Sequence, residues 1–185
     1  MKVLPTSLKD VLIIIPQIFQ DERGFFMETY QQKRYRESGI DCTFVQDNLS
    51  YSVQNTLRGL HYQHPCSQAK LIEVIKGEIF DVAVDIRRGS QTFGEWAGVR
   101  LSDENKRQLF VPEGFAHGFC VLSKKAVVYY KCSDFYSPEN EGGILWADPQ
   151  IGISWPVQNP LISQKDSMYE ILNNIPPERL PVMEG

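Results

Sequence analysis

The feature that most limits the fold is a rhythm of short β-forming runs between Val11 and Trp155, each closed by turn formers. Leu71–Ile75, a turn at Lys76-Gly77, and Glu78–Ile86 read as a hairpin. In its second arm Phe80, Val82, Val84 and Ile86 share one face, and Asp81, Ala83 and Asp85 the other. Gly94–Leu101, Gln108–Val111, His117–Leu122 and Ala126–Cys132 are further strands, separated by clusters such as Arg88-Gly89-Ser90, Pro112-Glu113-Gly114 and Ser123-Lys124-Lys125. Strands at this spacing build an all-β sandwich or barrel, not a parallel α/β fold. Two segments read as helices. Thr29–Glu37 is polar and poor in strand formers. Ser163–Leu172 opens with a serine followed three residues later by an acid, a capping-box pattern. The tail Asn173–Gly185, with Pro176-Pro177 and Pro181, is expected to be irregular and to lie on the surface. The expected organisation is one domain over 1–185, with a barrel core near 11–160 and a C-terminal helix and tail near 163–185.

Several function classes lose support at once. A net charge of −4 with no basic run argues against nucleic-acid binding, although local arginines and lysines can still hold a small anion. The apolar run Val11–Ile15 is too short to span a bilayer, and no cleavage site follows it, so neither a membrane span nor a signal peptide is expected. Cys42, Cys66, Cys120 and Cys132 form no C-x-x-C pair, which reads as reduced thiols in the cytoplasm. His61, His64 and His117 are the only histidines, and they supply neither H-x-H nor H-E-x-x-H spacing, so no metal site is expected. Hydrolase, P-loop and dinucleotide fingerprints are absent.

The stretches that can carry chemistry each admit a second, purely structural reading. Leu57–Gln63 places Arg58 and His61 among apolar residues, as an anion clamp and general base, or as a surface arginine and a core histidine. Strict alternation puts the two on opposite faces unless a bulge near Gly59 intervenes. Lys70 begins an apolar strand, where it stabilises an oxyanion or simply marks a strand edge. Asp81 and Asp85 either line a pocket or point into water, and the wet face of an antiparallel sheet favours the second. In Pro112–Phe119 a histidine stands between glycines and aromatics, at a ligand or at a barrel corner. Tyr129 and Tyr130 put a phenol on either face of one strand, as acid or as packing. Asp166 has a structural task already, in the helix cap.

Taken together, Asp21–Phe26, Phe44–Ser50, Leu57–Gln63, Lys70-Leu71, Asp81–Arg87, Pro112–Phe119, Tyr130-Lys131 and Ser163–Asp166 resemble, in order, the dTDP-4-dehydrorhamnose 3,5-epimerase family over about residues 11 to 170. The resemblance implies a cupin-type antiparallel jelly-roll barrel with short peripheral helices. It implies a cytoplasmic homodimer with N-terminal strand exchange, and no metal or organic cofactor. It implies epimerisation at C3 and C5 of a dTDP-4-keto-6-deoxy-hexose, from dTDP-4-dehydro-6-deoxy-D-glucose to dTDP-4-dehydro-L-rhamnose, through an enolate. It assigns His61 as general base, Tyr130 as general acid, Asp166 as the partner that orients His61, and Lys70 as the stabiliser of the enolate. Arg23, Glu28, Gln46, Asp47, Asn48, Arg58, His117, Glu141 and Lys165 match substrate-binding positions, with Arg23 and Glu28 supplied by the partner subunit. Phe26 and Tyr136 are candidates to stack on thymine. His64–Ser67 and the region after Asp166 depart from the family pattern. Three rival readings share parts of this framework: a single-centre epimerase or ketoisomerase, a non-catalytic sugar-nucleotide-binding cupin, and a metal-dependent cupin oxygenase.

Overall fold

A computed structural model describes residues 1–183. Its strands are β1 (Lys2–Pro5), β2 (Leu12–Ile15), β3 (Ile18–Asp21), β4 (Gly24–Met27), β5 (Gln46–Val53), β6 (Leu57–Gln63), β7 (Lys70–Lys76), β8 (Glu78–Asp85), β9 (Trp96–Ser102), β10 (Gln108–Val111), β11 (Phe115–Val121), β12 (Lys125–Cys132) and β13 (Glu141–Gly143). The helices are α1 (Gln32–Glu37) and α2 (Gln164–Ser167). One sheet has the order β1-β2-β10-β7-β12-β5, a second β13-β6-β11-β8-β9, and β3 and β4 pair as a separate hairpin. The two large sheets face each other as an antiparallel, cupin-type jelly roll.

The expected β7–β8 hairpin does not form. β7 pairs with β10 and β12, while β8 pairs with β9 and β11 in the opposite sheet. The chain changes sheets at Gly77, whose φ of +87° suits glycine and where a Cβ would collide with the Lys125 carbonyl. Turn chemistry marks a corner and a hairpin alike, so local sequence does not separate the two.

Alternation decides what fills the barrel. Ile72 and Val74, Ile79 and Ala83, Phe115, Phe119 and Val121, and Ala126 and Val128 pack as one apolar core. The same faces continue, by period two, into Lys70, Asp81, His117, Tyr130 and Cys132. The barrel is therefore apolar at one end and polar at the other.

The outer face of β8 is buried too. Val82, Val84 and Ile86 pack against Ile144, Ile151, Leu172, Ile175 and Leu180. The tail up to Met183 is irregular apart from two short 3-10 turns and lies on the surface, as expected, but it docks Ile175 and Leu180 into this layer; Glu184 and Gly185 lie outside the described residues. With both faces covered, Asp81 and Asp85 are fully buried, which corrects the expectation that they point into water. Asp85 accepts bonds from Arg87, Ser90 and Thr92.

Both helices are shorter than their patterns imply. Gln31 caps α1, its side chain accepting from the Arg34 N–H, so the helix starts after Thr29-Tyr30. Ser163 caps α2 through the Asp166 N–H at 3.0 Å, but the helix ends at Ser167. The Asp166 side chain does not complete a capping box, because it is engaged elsewhere.

Candidate active site

The polar end of the barrel holds a cavity of about 250 Å³ lined by Gln46, Asn48, His61, Lys70, Tyr130 and Glu141, among others. A deeper chamber of about 160 Å³ adjoins it and is lined by Ser50, Arg58, His61, Lys70, His117 and Tyr130. Eight of the thirteen residues singled out from sequence line these two spaces: His61, Lys70, Tyr130, Gln46, Asn48, Arg58, His117 and Glu141.

The convergence depends on a bulge. His61 pairs with His117 and Arg58 with Phe119, so β6 takes three steps where β11 takes two. The extra residue reverses the alternation and turns Arg58 and His61 to the same side. Gly59 makes this possible: its φ is +106°, and a Cβ there would lie 2.6 Å from the His117 carbonyl oxygen and 2.7 Å from Gly118 Cα.

His61 Nε2 lies 2.7 Å from Asp166 Oδ1. Asp166 is buried, and its Oδ2 accepts the Gly59 N–H at 3.2 Å. Burial by itself would raise the Asp166 carboxyl, but the bonds from His61, Gly59 and the cap outweigh it and hold the pKa below the usual carboxylate value. An ionised carboxylate only accepts, so Nε2 donates to it, and in the neutral ring the lone pair is then on Nδ1. The Tyr169 ring stands edge-on to the imidazole, 5.9 Å between centroids.

Tyr130 and Lys70 come from the opposite sheet, on neighbouring strands β12 and β7. Burial raises the Tyr130 phenol above its ordinary value, so it holds its proton at neutral pH. Burial pushes the Lys70 ammonium down, and Cys132, Asp81 and Glu141 partly oppose this. Glu141 sits at the rim. It accepts from the Tyr136 hydroxyl at 2.7 Å and pairs with Lys165, and these contacts hold it low despite burial. Arg58 Nε donates to Ser52 Oγ at 3.0 Å.

Three predicted positions lie elsewhere. Asp47 is on the outer face of β5, bonded to Lys131 at 2.9 Å, so its side chain does not enter the cavity. Arg23 sits at the β3–β4 turn against Asp21, and Glu28 pairs with Arg34 at 2.9 Å. Neither reaches the cavity of its own chain. Sequence reasoning passed over Ser50, Gln63 and Cys132 as lining residues, and for Asp81 it favoured the solvent-facing reading. The signal was present in β5, where Gln46, Asn48, Ser50 and Ser52 alternate with Leu49, Tyr51 and Val53. The polar set faces the barrel, and the apolar set is exposed. Among the described residues no group of three or more His, Cys, Asp or Glu side chains is placed to hold a metal ion.

A family model described as dTDP-4-dehydrorhamnose 3,5-epimerase matches residues 5–174. The chain is 60% identical over 168 residues to the dTDP-4-dehydrorhamnose 3,5-epimerase of Shigella flexneri, covering 90% of this chain and 93% of that one. It is 53% identical over 178 residues to the enzyme of that name from Methanothermobacter thermautotrophicus, covering 95% and 96%. Among solved structures it is similar to the dTDP-6-deoxy-D-glucose-3,5-epimerase of Legionella pneumophila Philadelphia 1 in complex with dTDP-4-keto-L-rhamnose, with a TM-score of 0.97, 52% identity and coverage of 100% and 99%. With the family model spanning most of its length and relatives above half identity over nearly all of it, the chain belongs to the dTDP-4-dehydrorhamnose 3,5-epimerase family of isomerases.

Proposed function

We propose that this chain inverts C3 and C5 of dTDP-4-dehydro-6-deoxy-D-glucose to give dTDP-4-dehydro-L-rhamnose. One observation carries the reading: an imidazole on one sheet and a phenol on the facing sheet open into the same space, with the Lys70 amine beside the phenol. A 4-keto group acidifies the hydrogens on the two adjacent carbons. His61 Nδ1 takes one of them, and the Nε2–H bond to Asp166 stabilises the imidazolium that results. The electron pair moves to the C4 oxygen, where Lys70 stabilises the enolate. Tyr130 returns a proton from the opposite side as the C4 ketone re-forms; Tyr130 is then reprotonated from water, and the His61 imidazolium releases its proton to water. The same pair then serves the second carbon. Arg58 and His117 line the deeper chamber; arginine's planar fork suits a diphosphate.

The test is incubation with dTDP-4-keto-6-deoxy-D-glucose in heavy water, read by NMR. Deuterium at C3 and C5 with inversion at both is expected. Inversion at one carbon replaces the reading with a single-centre epimerase, and no exchange at either rejects it.

The same reading makes the chain a single cytoplasmic domain and one half of a homodimer. Its four thiols are free, and no helix among the described residues is long and apolar enough to cross a membrane. Leu49, Tyr51, Val53 and Ile75 form an exposed apolar face on the six-stranded sheet, and the β3–β4 hairpin exposes Phe19, Phe25 and Phe26. An apolar surface of this kind marks an interface. An exchanged hairpin would carry Arg23, Phe26 and Glu28 toward the partner's cavity. Equilibrium sedimentation is expected to find a two-chain particle at micromolar concentration; a single-chain particle refutes the exchange.

A further inference from the structure

The site contains a second carboxylate–imidazole pair that the mechanism above does not use. Asp81 lies on the inward face of β8, two residues from the core residues Ile79 and Ala83. It is fully buried. Its Oδ1 sits 2.6 Å from Nε2 of His117, across the β8–β11 pairing. Its Oδ2 is buried and has no hydrogen-bond partner among the described residues. A buried acceptor left unpaired costs on the order of 1–3 kcal/mol, and more when charged. A carboxylate kept only to hold a core histidine would more cheaply be an amide.

Lys70 has the complementary problem. It faces the barrel from β7 and lines both chambers, and its side-chain amine makes no hydrogen bond or salt bridge among the described residues. The titratable and charged groups that line the space around it are His61, Arg58 and Tyr62 on β6, His117 on β11, Tyr130 and Cys132 on β12, Glu141 on β13, and Tyr136 in the loop before it. Asp81 on β8 and Asp166 on α2 stand behind the two histidines. Of the four possible anions, Asp166 is committed to His61, Glu141 to Lys165 and Tyr136, and the Cys132 thiol is pushed up by burial. Asp81 is the one carboxylate in the interior with an uncommitted oxygen.

We propose that Asp81 is a positioning residue of the epimerisation site: one oxygen orients the His117 imidazole, and the other supplies the negative charge that keeps Lys70 an ammonium. The inference rests on the epimerase reading. A lysine buried inside a barrel loses its proton easily, and a neutral amine stabilises an enolate far less well than a cation. A carboxylate nearby shifts that balance by about one to three pH units. Through His117 the same residue also sets a donor in the deeper chamber.

The test is the pH profile of Asp81→Asn in the full-length protein, with kcat and KM measured separately. Removing the negative charge disfavours the protonated amine, so the basic limb of kcat moves to lower pH, by about one unit or more. The loss at pH 9 is therefore roughly tenfold greater than at pH 6. Arginine does not deprotonate in this range, so Asp81→Asn in a Lys70→Arg background leaves the limb where it was. An unmoved limb in the single variant, or a shift that persists in the Lys70→Arg background, overturns the proposal. Should Asp81→Asn fail to fold, Lys70→Met is compared with Lys70→Met/Asp81→Asn. Charge coupling requires the double variant to fold, and an unfolded double variant sinks the idea. Wild-type protein that leaves both stereocentres intact rejects the epimerase reading itself. Wild-type protein that epimerises, beside an Asp81→Asn profile with an unchanged limb, rejects the role of Asp81 alone.

Discussion

His61→Asn is expected to abolish deuterium uptake at both C3 and C5 while the protein keeps its fold. Asparagine fills similar space and can still donate to Asp166, so the carboxylate is not stranded. What disappears is the Nδ1 lone pair, for which the amide has no basic substitute. General-base catalysis contributes roughly 10²- to 10⁴-fold, so kcat should fall by at least that range's lower end. Isotope position read by NMR separates the carbons. Exchange retained at C3 or at C5 would show that another group removes the proton there. A loss of near-ultraviolet circular dichroism would mean that the fold, not the base, had been removed.

Tyr130→Phe should divide the reaction differently. The change removes one oxygen from a well-packed position beside the apolar core, so the barrel should survive it. His61 can still take the proton and return a solvent deuteron to the same face. Exchange therefore continues, while net inversion, which needs delivery from the opposing sheet, drops by roughly 10²-fold or more. The informative quantity is the ratio of isotope incorporation to product formation, followed in one heavy-water sample. Equal loss of both would remove Tyr130 from the donor role. Its raised pKa gives the reason to expect a donor: at neutral pH the phenol is protonated.

Periodicity located β7 to β12 because alternation is a local property, with Gln108–Val111 unchanged in bounds and Ala126–Cys132 gaining one residue, but it named no strand for β1, β3, β4, β5 or β13. It failed at Gly77, where the question was which sheet the next strand joins, and at Asp81, where it was what covers the other face. Nothing within ten residues of Asp81 says that Leu172, Ile175 and Leu180 return to cover β8. Asp166 is the sharpest case. Its neighbours explain it fully as part of a cap, and only folding brings it 2.7 Å from an imidazole 105 residues earlier.

Residue order alone determined the β class, the family membership and the inventory of titratable side chains, because strand alternation, turn chemistry and residue type are properties of short stretches. Tertiary structure alone decided which of those groups meet. A single extra residue at Gly59 turns His61 and Arg58 to the same side, the sheet change at Gly77 puts Asp81 and Lys70 on facing sheets, and the docked tail makes a wet face dry. Each is a long-range event, in which position, burial and local dielectric depend on segments far away in the chain.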